Sequence, residues 1–262
     1  MNILETIVAN KKLEVISRNL EVSISDLETS DLFQRETLSL REFLLDKNRT
    51  GIIAEYKRKS PSKGVINNIS TVEEVTKAYA QSASGISVLT DEKFFGGKVD
   101  DLLKARSNQV PILRKDFMID EYQIIEAKSI GADVILLIAA CLTVSEVKQF
   151  AGLAKRLGLE VLLEIHNDEE LGHICADIDF VGVNNRNLKT FEVDINTSLN
   201  LINKIPTEKL AITESGISNV DSIVTLKQAG YKGFLIGENF MKEPDPSIAF
   251  AHFVQQLKAK LG

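Results

Sequence analysis

The sequence predicts an α/β protein, a single (βα)8 TIM barrel over residues 1–262 with residues 1–46 as a helical N-terminal extension. Eight short runs rich in Ile, Val and Leu alternate with longer amphipathic segments, the pattern of parallel strands joined by helices. The dinucleotide fingerprint G-x-G-x-x-G is missing after the first run, which favours a closed barrel over an open sheet. No linker-like stretch divides the chain, so we expect one domain.

The predicted strands and helices alternate from residue 51 to the end of the chain. The strands are residues 51–57, 86–90, 110–115, 133–139, 159–164, 180–184, 210–215 and 233–237. The helices are residues 72–84, 99–107, 121–130, 144–157, 169–175, 197–204, 220–229 and 247–260. Gly85, Gly131, Gly158 and Gly230 precede strands, so we expect each to end a helix in a left-handed conformation.

Residues 1–46 predict helices ahead of the barrel. Four apolar residues share one helical face: Ile3, Leu4, Ile7 and Val8. Ser39 and Glu42 have the spacing of a capping box at the start of a further helix. Residues 46–51 then form a polar turn that leads into the first strand.

Composition and charge narrow the classes of partner. A formal net charge of -6 and a pI of about 5.3 argue against a nucleic-acid or anionic-membrane partner. No apolar run approaches the ~20 residues of a membrane helix, and the first residues lack the basic start of a targeting segment. Cys141 and Cys175 lie in apolar surroundings, which suits a reducing compartment. We therefore expect a cytoplasmic protein. We also expect a monomer, although none of these observations bears on the oligomeric state.

Acidic and basic residues stand where the predicted strands end. Glu55 and Lys57 share one face of the first strand, and Tyr56 takes the other face. Lys115 and Glu164 end the third and fifth strands. In a closed barrel these acids and bases converge on one mouth, which is where barrel active sites lie. The alternative is that residues 51–64 form a strand running into a solvated, lysine-rich loop.

Small residues follow the last two strands. Glu214 is followed by Ser215 and Gly216, and Gly237 ends the eighth strand. Phosphate-binding barrels present backbone N–H groups at these two places. Ordinary turn chemistry is the alternative explanation of the glycines.

Two phenylalanines lie beside the charged set. Phe95 stands in a glycine-rich loop, and Phe117 follows Lys115 by two positions. A flat apolar substrate would explain both side chains, and a hydrophobic lid on the barrel is the alternative.

Metal and nucleophile chemistry find little support in the sequence. The three histidines lie in separate elements, so we expect no metal site, and we expect His166 to be a supporting or surface residue. Ser215 lacks a histidine partner for a hydrolase triad. We expect Cys141 and Cys175 to be small core residues.

Seven motifs resemble those of indole-3-glycerol phosphate synthase, and they span the chain in the family's order. They are residues 53–64 (IAEYKRKSPSKG), 88–91 (VLTD) with 94–97 (FFGG), 112–117 (ILRKDF), 164–166 (EIH), 183–188 (VNNRNL), 213–217 (TESGI) and 234–238 (FLIGE). The resemblance implies a (βα)8 barrel with an N-terminal helical extension. It also implies a carboxy-lyase of tryptophan biosynthesis that needs neither metal nor organic cofactor. That family converts 1-(2-carboxyphenylamino)-1-deoxyribulose 5-phosphate, a small phosphorylated molecule, to indole-3-glycerol phosphate, carbon dioxide and water.

The resemblance also implies roles for individual residues. Lys115 is similar to the family's general acid for ring closure, and the remaining acid/base set is Glu55, Lys57 and Glu164. The substrate-binding positions are Asn184, Arg186, Phe95, Phe117, Leu136 and Ser60, with Arg186 facing the substrate carboxylate and the phenylalanines and leucine around its ring. The phosphate-binding positions are Ser215, Gly216, Gly237 and Glu238, to which Lys57 is added.

Two positions depart from the family pattern. Glu238 stands where some members have serine, and its carboxylate would repel a phosphate if it pointed inward. We therefore expect only its backbone N–H to contact the phosphate. Gly96 stands where some relatives have asparagine, so no side-chain contact is expected from that position.

Three other functions stay open at this point. Phosphoribosylanthranilate isomerase is another phosphate-binding barrel, but that family has a cysteine at the end of its first strand, where this chain has Glu55 and Lys57. A Schiff-base aldolase would use Lys57 or Lys115 as a nucleophile. A non-catalytic barrel that binds a phosphorylated metabolite would bind its ligand without turnover.

Overall fold

Eight parallel strands close into a barrel in a computed structural model that describes residues 3–262. The barrel strands are Ile52–Tyr56, Gly85–Leu89, Ile112–Lys115, Val134–Ile138, Glu160–Ile165, Phe180–Asn184, Leu210–Glu214 and Gly233–Ile236. Each strand pairs with its neighbours in sequence, and the first strand pairs with the eighth, with Ile53 opposite Leu235. The predicted closed barrel is confirmed.

Helices cover the outside of the barrel. They are Val72–Ala80, Val99–Ala105, Glu121–Ser129, Val144–Arg156, Asn196–Leu201, Val220–Ala229 and Pro246–Leu261, with 3₁₀ turns at Asp168–His173 and Ile202–Lys204. Shorter helical segments follow three strands: Glu92–Phe95, Ala139–Cys141 and Glu238–Met241. Outward-facing strand residues such as Tyr56 pack against the helices in the larger hydrophobic cluster. The strands therefore bury apolar residues on both faces, as a parallel sheet does.

Inward-facing strand residues fill the barrel. They form a separate apolar cluster that includes Ile53, Leu113, Leu162, Ile212 and Leu235. Because strand side chains alternate, the residue two positions after each of these also points inward, closer to the carboxyl end of its strand. The interior is thus apolar in its depth, and the mouth is formed by the next inward layer.

The N-terminal extension contacts both ends of the barrel. Its helices are Ile3–Glu21, Ile24–Glu28 and Leu40–Leu45. Leu40 and Leu44 belong to the interior cluster, and a Cβ on Gly85 at the start of the second strand would lie 2.7 Å from Leu40 Cδ1. The third helix therefore closes the amino-terminal end of the barrel, whereas residues of the first helix line the mouth described below.

Several predicted details were wrong. Residues 168–173 form a 3₁₀ turn where an α-helix was predicted over residues 169–175, and the Asn167 side chain begins this turn by accepting hydrogen bonds from the Glu169 and Glu170 backbone N–H groups. Gly85 ends no helix and has no positive φ, since it is the first residue of a strand. The other three glycines do adopt positive φ, at 86° for Gly131, 75° for Gly158 and 125° for Gly230.

The predicted capping box at Ser39 is half present. The Ser39 hydroxyl accepts from the Glu42 backbone N–H, but it donates to Glu160 Oε1 at 2.7 Å. Glu160 also accepts from the Leu40 backbone N–H, so it supplies the carboxylate that Glu42 was expected to provide. A barrel residue distant in sequence thus caps this helix.

Other boundaries differ only at the ends. The helix predicted at 72–84 ends at Ala80, and the one predicted at 197–204 changes to a 3₁₀ turn after Leu201. The small hairpin of Lys59–Ser60 with Gly64–Val65 was not predicted. Among the described residues, no helix has the length and apolar character needed to cross a membrane.

Candidate active site

Charged residues occupy the inward layer at the mouth of the barrel. Glu55, Lys115 and Glu164 each lie two residues after an inward-facing apolar residue, respectively Ile53, Leu113 and Leu162. The same rule puts Glu214 after Ile212 and Gly237 after Leu235. Strand alternation therefore brings three carboxylates and an ammonium from four strands to one place.

Lys115 lies between two carboxylates. Its Nζ is 3.2 Å from Glu164 Oε2 and 3.4 Å from Glu214 Oε2. Both glutamates are buried, at 3% and 2% exposure, so water screens these charges weakly. Glu214 Oε1 accepts no hydrogen bond from any residue between 3 and 262. A Cβ on Gly182 would lie 2.5 Å from that oxygen, so only glycine leaves room for it.

The cluster divides protons unequally. Burial alone would lower the pKa of Lys115, but the charges of Glu164, Glu214 and Glu55 outweigh burial and raise that pKa above its ordinary value. Burial would raise the pKa of Glu164, but the charges of Lys115 and His166 lower it instead. Burial raises the pKa of Glu214 to about 7, and the charges of Glu164 and Glu55 add to the rise. Lys115 is therefore a protonated amine, and Glu214 exchanges its proton near neutral pH.

Glu164 is held by two further side chains. Asn184 Nδ2 donates to its Oε1 at 3.1 Å, and His166 Nε2 lies 3.2 Å from the same oxygen. His166 Nδ1 lies 3.1 Å from Glu170, and these carboxylates raise the pKa of His166 to about 10 against the effect of burial. His166 lies behind Glu164 and does not line the cavity, in line with the supporting position predicted for it.

Glu55 and Lys57 form a second acid and base pair. Lys57 Nζ is 2.8 Å from Glu55 Oε1, and both side chains reach the mouth, while Tyr56 is buried on the outer face as predicted. A Cβ on Gly237 would lie 2.5 Å from Glu55 Oε1, so the missing side chain makes space for the carboxylate. The first strand thus ends in side chains that face the cavity rather than solvent.

The mouth encloses a cavity of about 470 Å³. Its apolar wall includes Phe95, Phe117 and Leu136, and the two phenyl rings are 5.9 Å apart between centroids at an angle of 37°. The first N-terminal helix adds to this wall through Ile3, Leu4 and Ile7. A flat aromatic group fits such a wall better than a polar one does.

The opposite wall is made by the loops after the last two strands. Ser215 and Gly216 adopt successive left-handed conformations, with φ of 66° and 76°. Buried Asn185 donates to the Ser215 carbonyl oxygen at 3.1 Å and so holds this turn. Gly237 precedes the short helix Glu238–Met241. Besides Lys115, three lysines line the same cavity and supply positive charge: Lys57, Lys63 and Lys242.

Arg186 reaches the cavity from the loop after the sixth strand. Its Nη2 lies 3.5 Å from Glu238 Oε2, and Lys63 Nζ lies 3.9 Å from Glu238 Oε1. The Glu238 carboxylate therefore points toward the cavity and pairs with two cations there. This is the inward orientation in which its negative charge would repel a phosphate.

All the predicted site residues line this one cavity. They are Glu55, Lys57, Ser60, Phe95, Lys115, Phe117, Leu136, Glu164, Asn184, Arg186, Ser215, Gly216, Gly237 and Glu238. Glu214 also lines the cavity, although no role was predicted for it. Its position two residues after inward-facing Ile212 is the signal that predicts an inward-facing side chain. Within residues 3–262, no three His, Cys, Asp or Glu side chains are grouped as metal ligands.

The chain matches one known protein family over nearly its whole length. The model of the family described as indole-3-glycerol phosphate synthase matches residues 4–253. The chain belongs to this family. Among its relatives, the indole-3-glycerol phosphate synthase of Bacteroides thetaiotaomicron is 46% identical over 259 residues, which cover 98% of this chain and 99% of the relative. The indole-3-glycerol phosphate synthase of Laribacter hongkongensis is 41% identical over 258 residues, covering 96% and 98% of the two chains.

Solved structures support the fold of this indole-3-glycerol phosphate synthase family member. The tryptophan synthase A-subunit of Pyrococcus furiosus superposes with a TM-score of 0.61 at 17% identity, covering 80% of this chain and 99% of that one. At this identity the likeness concerns the barrel alone.

Proposed function

We propose that this chain converts 1-(2-carboxyphenylamino)-1-deoxyribulose 5-phosphate to indole-3-glycerol phosphate, with release of carbon dioxide and water. Family membership gives the reaction class. The observation that carries the proposal is the Lys115 ammonium, held between Glu164 and Glu214 beside an apolar wall. This arrangement provides an acid where an aromatic substrate would react.

Ring closure requires an acid. The ring carbon that bears the carboxylate attacks the ketone carbon, a carbon–carbon bond forms, and negative charge develops on the carbonyl oxygen. Lys115 donates a proton to that oxygen and stabilises the charge as it forms. Glu164 orients the ammonium from 3.2 Å, and Asn184 and His166 keep Glu164 in place.

Aromaticity is restored in two further steps. Carbon dioxide leaves, and its bonding electrons return to the ring. The hydroxyl made during ring closure then leaves as water, which needs a proton for the leaving oxygen and a base for the proton that is lost. Lys57, Glu55 and Glu164 are the proposed acid/base set. Glu214, whose pKa is about 7, is a further group that can exchange a proton at this stage.

The substrate is oriented by groups on different walls. We assign its ring to Phe95, Phe117 and Leu136, and its carboxylate to Arg186 with Asn184 nearby. Ser60, on the hairpin above the first strand, lines the same space. Holding the ring carbon and the ketone carbon within reacting distance is a large part of what such a site supplies.

The phosphate is assigned to the loops after the last two strands. Backbone N–H groups around Ser215, Gly216, Gly237 and Glu238 are the proposed donors, and Lys57 adds positive charge. Because the phosphate is remote from the bonds that change, its binding energy serves to hold the flexible chain in a reactive conformation. Weakening this region should lower turnover as well as affinity.

A direct assay tests the function. The purified chain is given the carboxyphenylamino-deoxyribulose phosphate, and the indole fluorescence of the product is followed with time. Folded protein that produces no indole signal would disprove the proposal. Parallel incubation with phosphoribosylanthranilate tests the isomerase alternative.

A Schiff-base mechanism is tested separately. The charges that raise the pKa of Lys115 keep it protonated, and a protonated amine is no nucleophile. We expect borohydride treatment with a carbonyl substrate to leave the mass of the protein unchanged. A trapped covalent adduct on Lys115 or Lys57 would favour the aldolase.

We further propose that the protein acts as a single-domain monomer in the cytoplasm. Its two cysteines are unpaired, which suits a reducing compartment, and burial raises the pKa of the Cys141 thiol to about 12. The cavity described above is complete within one chain. Light scattering on the purified protein tests the monomer, because a dimer would have twice the 29.0 kDa mass of the chain.

A further inference from the structure

Lys11 is a buried lysine that the proposed chemistry does not use. It lies on the N-terminal helix Ile3–Glu21 and is 1% exposed. Its Nζ lies 2.9 Å from Glu14, 3.0 Å from Asp91 Oδ2 and 2.9 Å from Asp116 Oδ1. Burying a charged amine is costly unless it is paired, so three carboxylates around one ammonium indicate a built site.

Asp91 and Asp116, the two carboxylates that are distant from Lys11 in sequence, each hold a loop of the active site. Asp91 Oδ1 accepts from the Phe94 backbone N–H at 2.8 Å and so begins the short helix Glu92–Phe95. Asp116 Oδ1 accepts from the Phe117 backbone N–H, also at 2.8 Å. One carboxylate therefore fixes the segment that carries Phe95, and the other fixes the segment that carries Phe117.

We propose that Lys11 is a positioning residue that sets the spacing between Phe95 and Phe117, and so the width of the slot for the substrate's aromatic ring. One ammonium joins Asp91 to Asp116, and through them it joins the loops after the second and third strands. The two phenyl rings meet across that junction at 5.9 Å. The inference rests on the proposed function only in its choice of an indole ligand.

The charges around Lys11 explain why a cation is needed. Asp91 and Asp116 are 0% and 2% exposed, so without the ammonium their negative charges would repel each other in a medium that screens poorly. Asp116 keeps other partners, since Thr90 donates to it at 2.5 Å and Arg114 lies 3.3 Å away. Asp91 has Lys11 as its one basic partner among the described side chains. Loss of Lys11 should therefore move the Phe95 loop more than the Phe117 loop.

Binding of two probes tests this role. Lys11→Met keeps the length of the side chain and removes its charge, and Lys12→Met is the matched control because Lys12 is the exposed neighbour. For Lys11→Met we expect indole-3-glycerol phosphate to bind about tenfold more weakly, the scale of one aromatic contact, while glycerol 3-phosphate binds within about twofold of the original protein. Lys12→Met should bind both probes normally.

A charge-balanced variant separates positioning from stability. Lys11→Met with Asp91→Asn removes one positive and one negative charge and keeps an oxygen that can accept from the Phe94 N–H. We expect its thermal midpoint to recover toward that of the original protein, while its affinity for indole-3-glycerol phosphate stays low. Recovery of that affinity together with stability would overturn the inference, as would equal weakening of both probes by Lys11→Met.

The measurement does not depend on turnover. If the original protein binds indole-3-glycerol phosphate but forms no product, the proposed function fails while the slot is still tested by the same probe. If the original protein binds glycerol 3-phosphate and not the indole compound, the slot takes no aromatic ring and the inference fails. In the turnover assay we expect Lys11→Met to lose up to ~100-fold in kcat/KM, as small displacements of bound substrate do.

Discussion

Two clusters of buried charge lie at opposite ends of the barrel, and they differ in how completely they are paired. At the amino-terminal end, Asp133 accepts from the Leu38 and Ile112 backbone N–H groups, both at 2.8 Å, and from the side chains of Arg35 and Arg106. At the mouth, Lys115 is shared between Glu164 and Glu214, and one oxygen of Glu214 accepts no hydrogen bond from the described residues.

The difference in pairing distinguishes a cluster that stabilises the fold from a cluster that takes part in the reaction. A carboxylate with every lone pair satisfied has no capacity left for a ligand, and its cost of burial is offset by its partners. A carboxylate left partly unpaired is held in an unfavourable state by the rest of the fold, which happens at functional sites. The amino-terminal cluster should therefore govern folding, and the mouth cluster should govern turnover.

The largest effect should come from Lys115→Met. Removing the proposed general acid should lower kcat by ~100- to 10,000-fold, while the protein still binds indole-3-glycerol phosphate. Single-turnover fluorescence gives the rate, and quenching of the same signal on binding gives the affinity. Near-normal turnover would remove Lys115 from the mechanism.

The opposite pattern is expected for Asp133→Asn. Arg106 and Arg35 would lose their charged partner, and breaking a buried ion pair costs about 3–5 kcal/mol in the free energy of unfolding. Denaturant titration measures that loss, and activity per folded molecule at low temperature should stay within about twofold. A fall in kcat comparable to that of Lys115→Met would show that the two ends are not independent.

Glu214→Gln should change how stability depends on pH. In the folded protein the pKa of Glu214 is raised to about 7 from an ordinary 4.5. Between pH 4.5 and about 7 the folded state therefore binds more protons than the unfolded state. The free energy of unfolding falls as the pH rises through this range, by up to about 3 kcal/mol.

Glutamine at position 214 does not titrate, so the decrease in the free energy of unfolding that Glu214 causes is lost in this variant. Denaturant midpoints at several pH values between 5 and 8 should therefore be flatter for Glu214→Gln than for the original protein. His166 contributes equally to both proteins, so the difference between the two curves reports on Glu214. Parallel curves would contradict the raised pKa.

Glu238→Ser should have the smallest effect, which is a modest decrease in KM. The Glu238 carboxylate pairs with Arg186, which is assigned to the substrate carboxylate. A partly exposed ion pair contributes up to about 1 kcal/mol, so its removal should lower KM by no more than about fivefold. In an Arg186→Ala background, itself expected to lose much of kcat/KM, the same change should bring no gain. A rise in KM on Glu238→Ser alone would assign the carboxylate a positive role.

The barrel was predictable because its signals are local. Eight apolar runs and the polar residues at their ends determine the strands, and strand alternation then determines which charges share the mouth. The predicted site residues line one cavity for this reason. Glu214 obeys the same alternation, which indicates an inward-facing side chain, whereas the pattern of its neighbours Ser215 and Gly216 indicates phosphate binding.

The remaining details depend on contacts between distant residues. Lys11 lies in the polar run N-K-K, which alone indicates a solvated helix face, and its burial depends on Asp91 and Asp116. The cap at Ser39 depends in the same way on Glu160. The orientation of the Glu238 carboxylate depends on Arg186 and Lys63, which are contributed by other loops. No pattern within a short window of sequence contains these partners.

The contact between Glu55 and Gly237 has a consequence for folding during synthesis, because the two residues lie far apart in the chain. Glu55 is among the first barrel residues to leave the ribosome, and Gly237 follows roughly 180 residues later, which takes roughly 10 to 40 s at ordinary rates of translation. Until the eighth strand pairs with the first, Ile53 and its neighbours have no partner on that edge. A nascent chain therefore carries an unpaired strand edge that can aggregate for most of its synthesis, and catalysis can begin only when the barrel has closed.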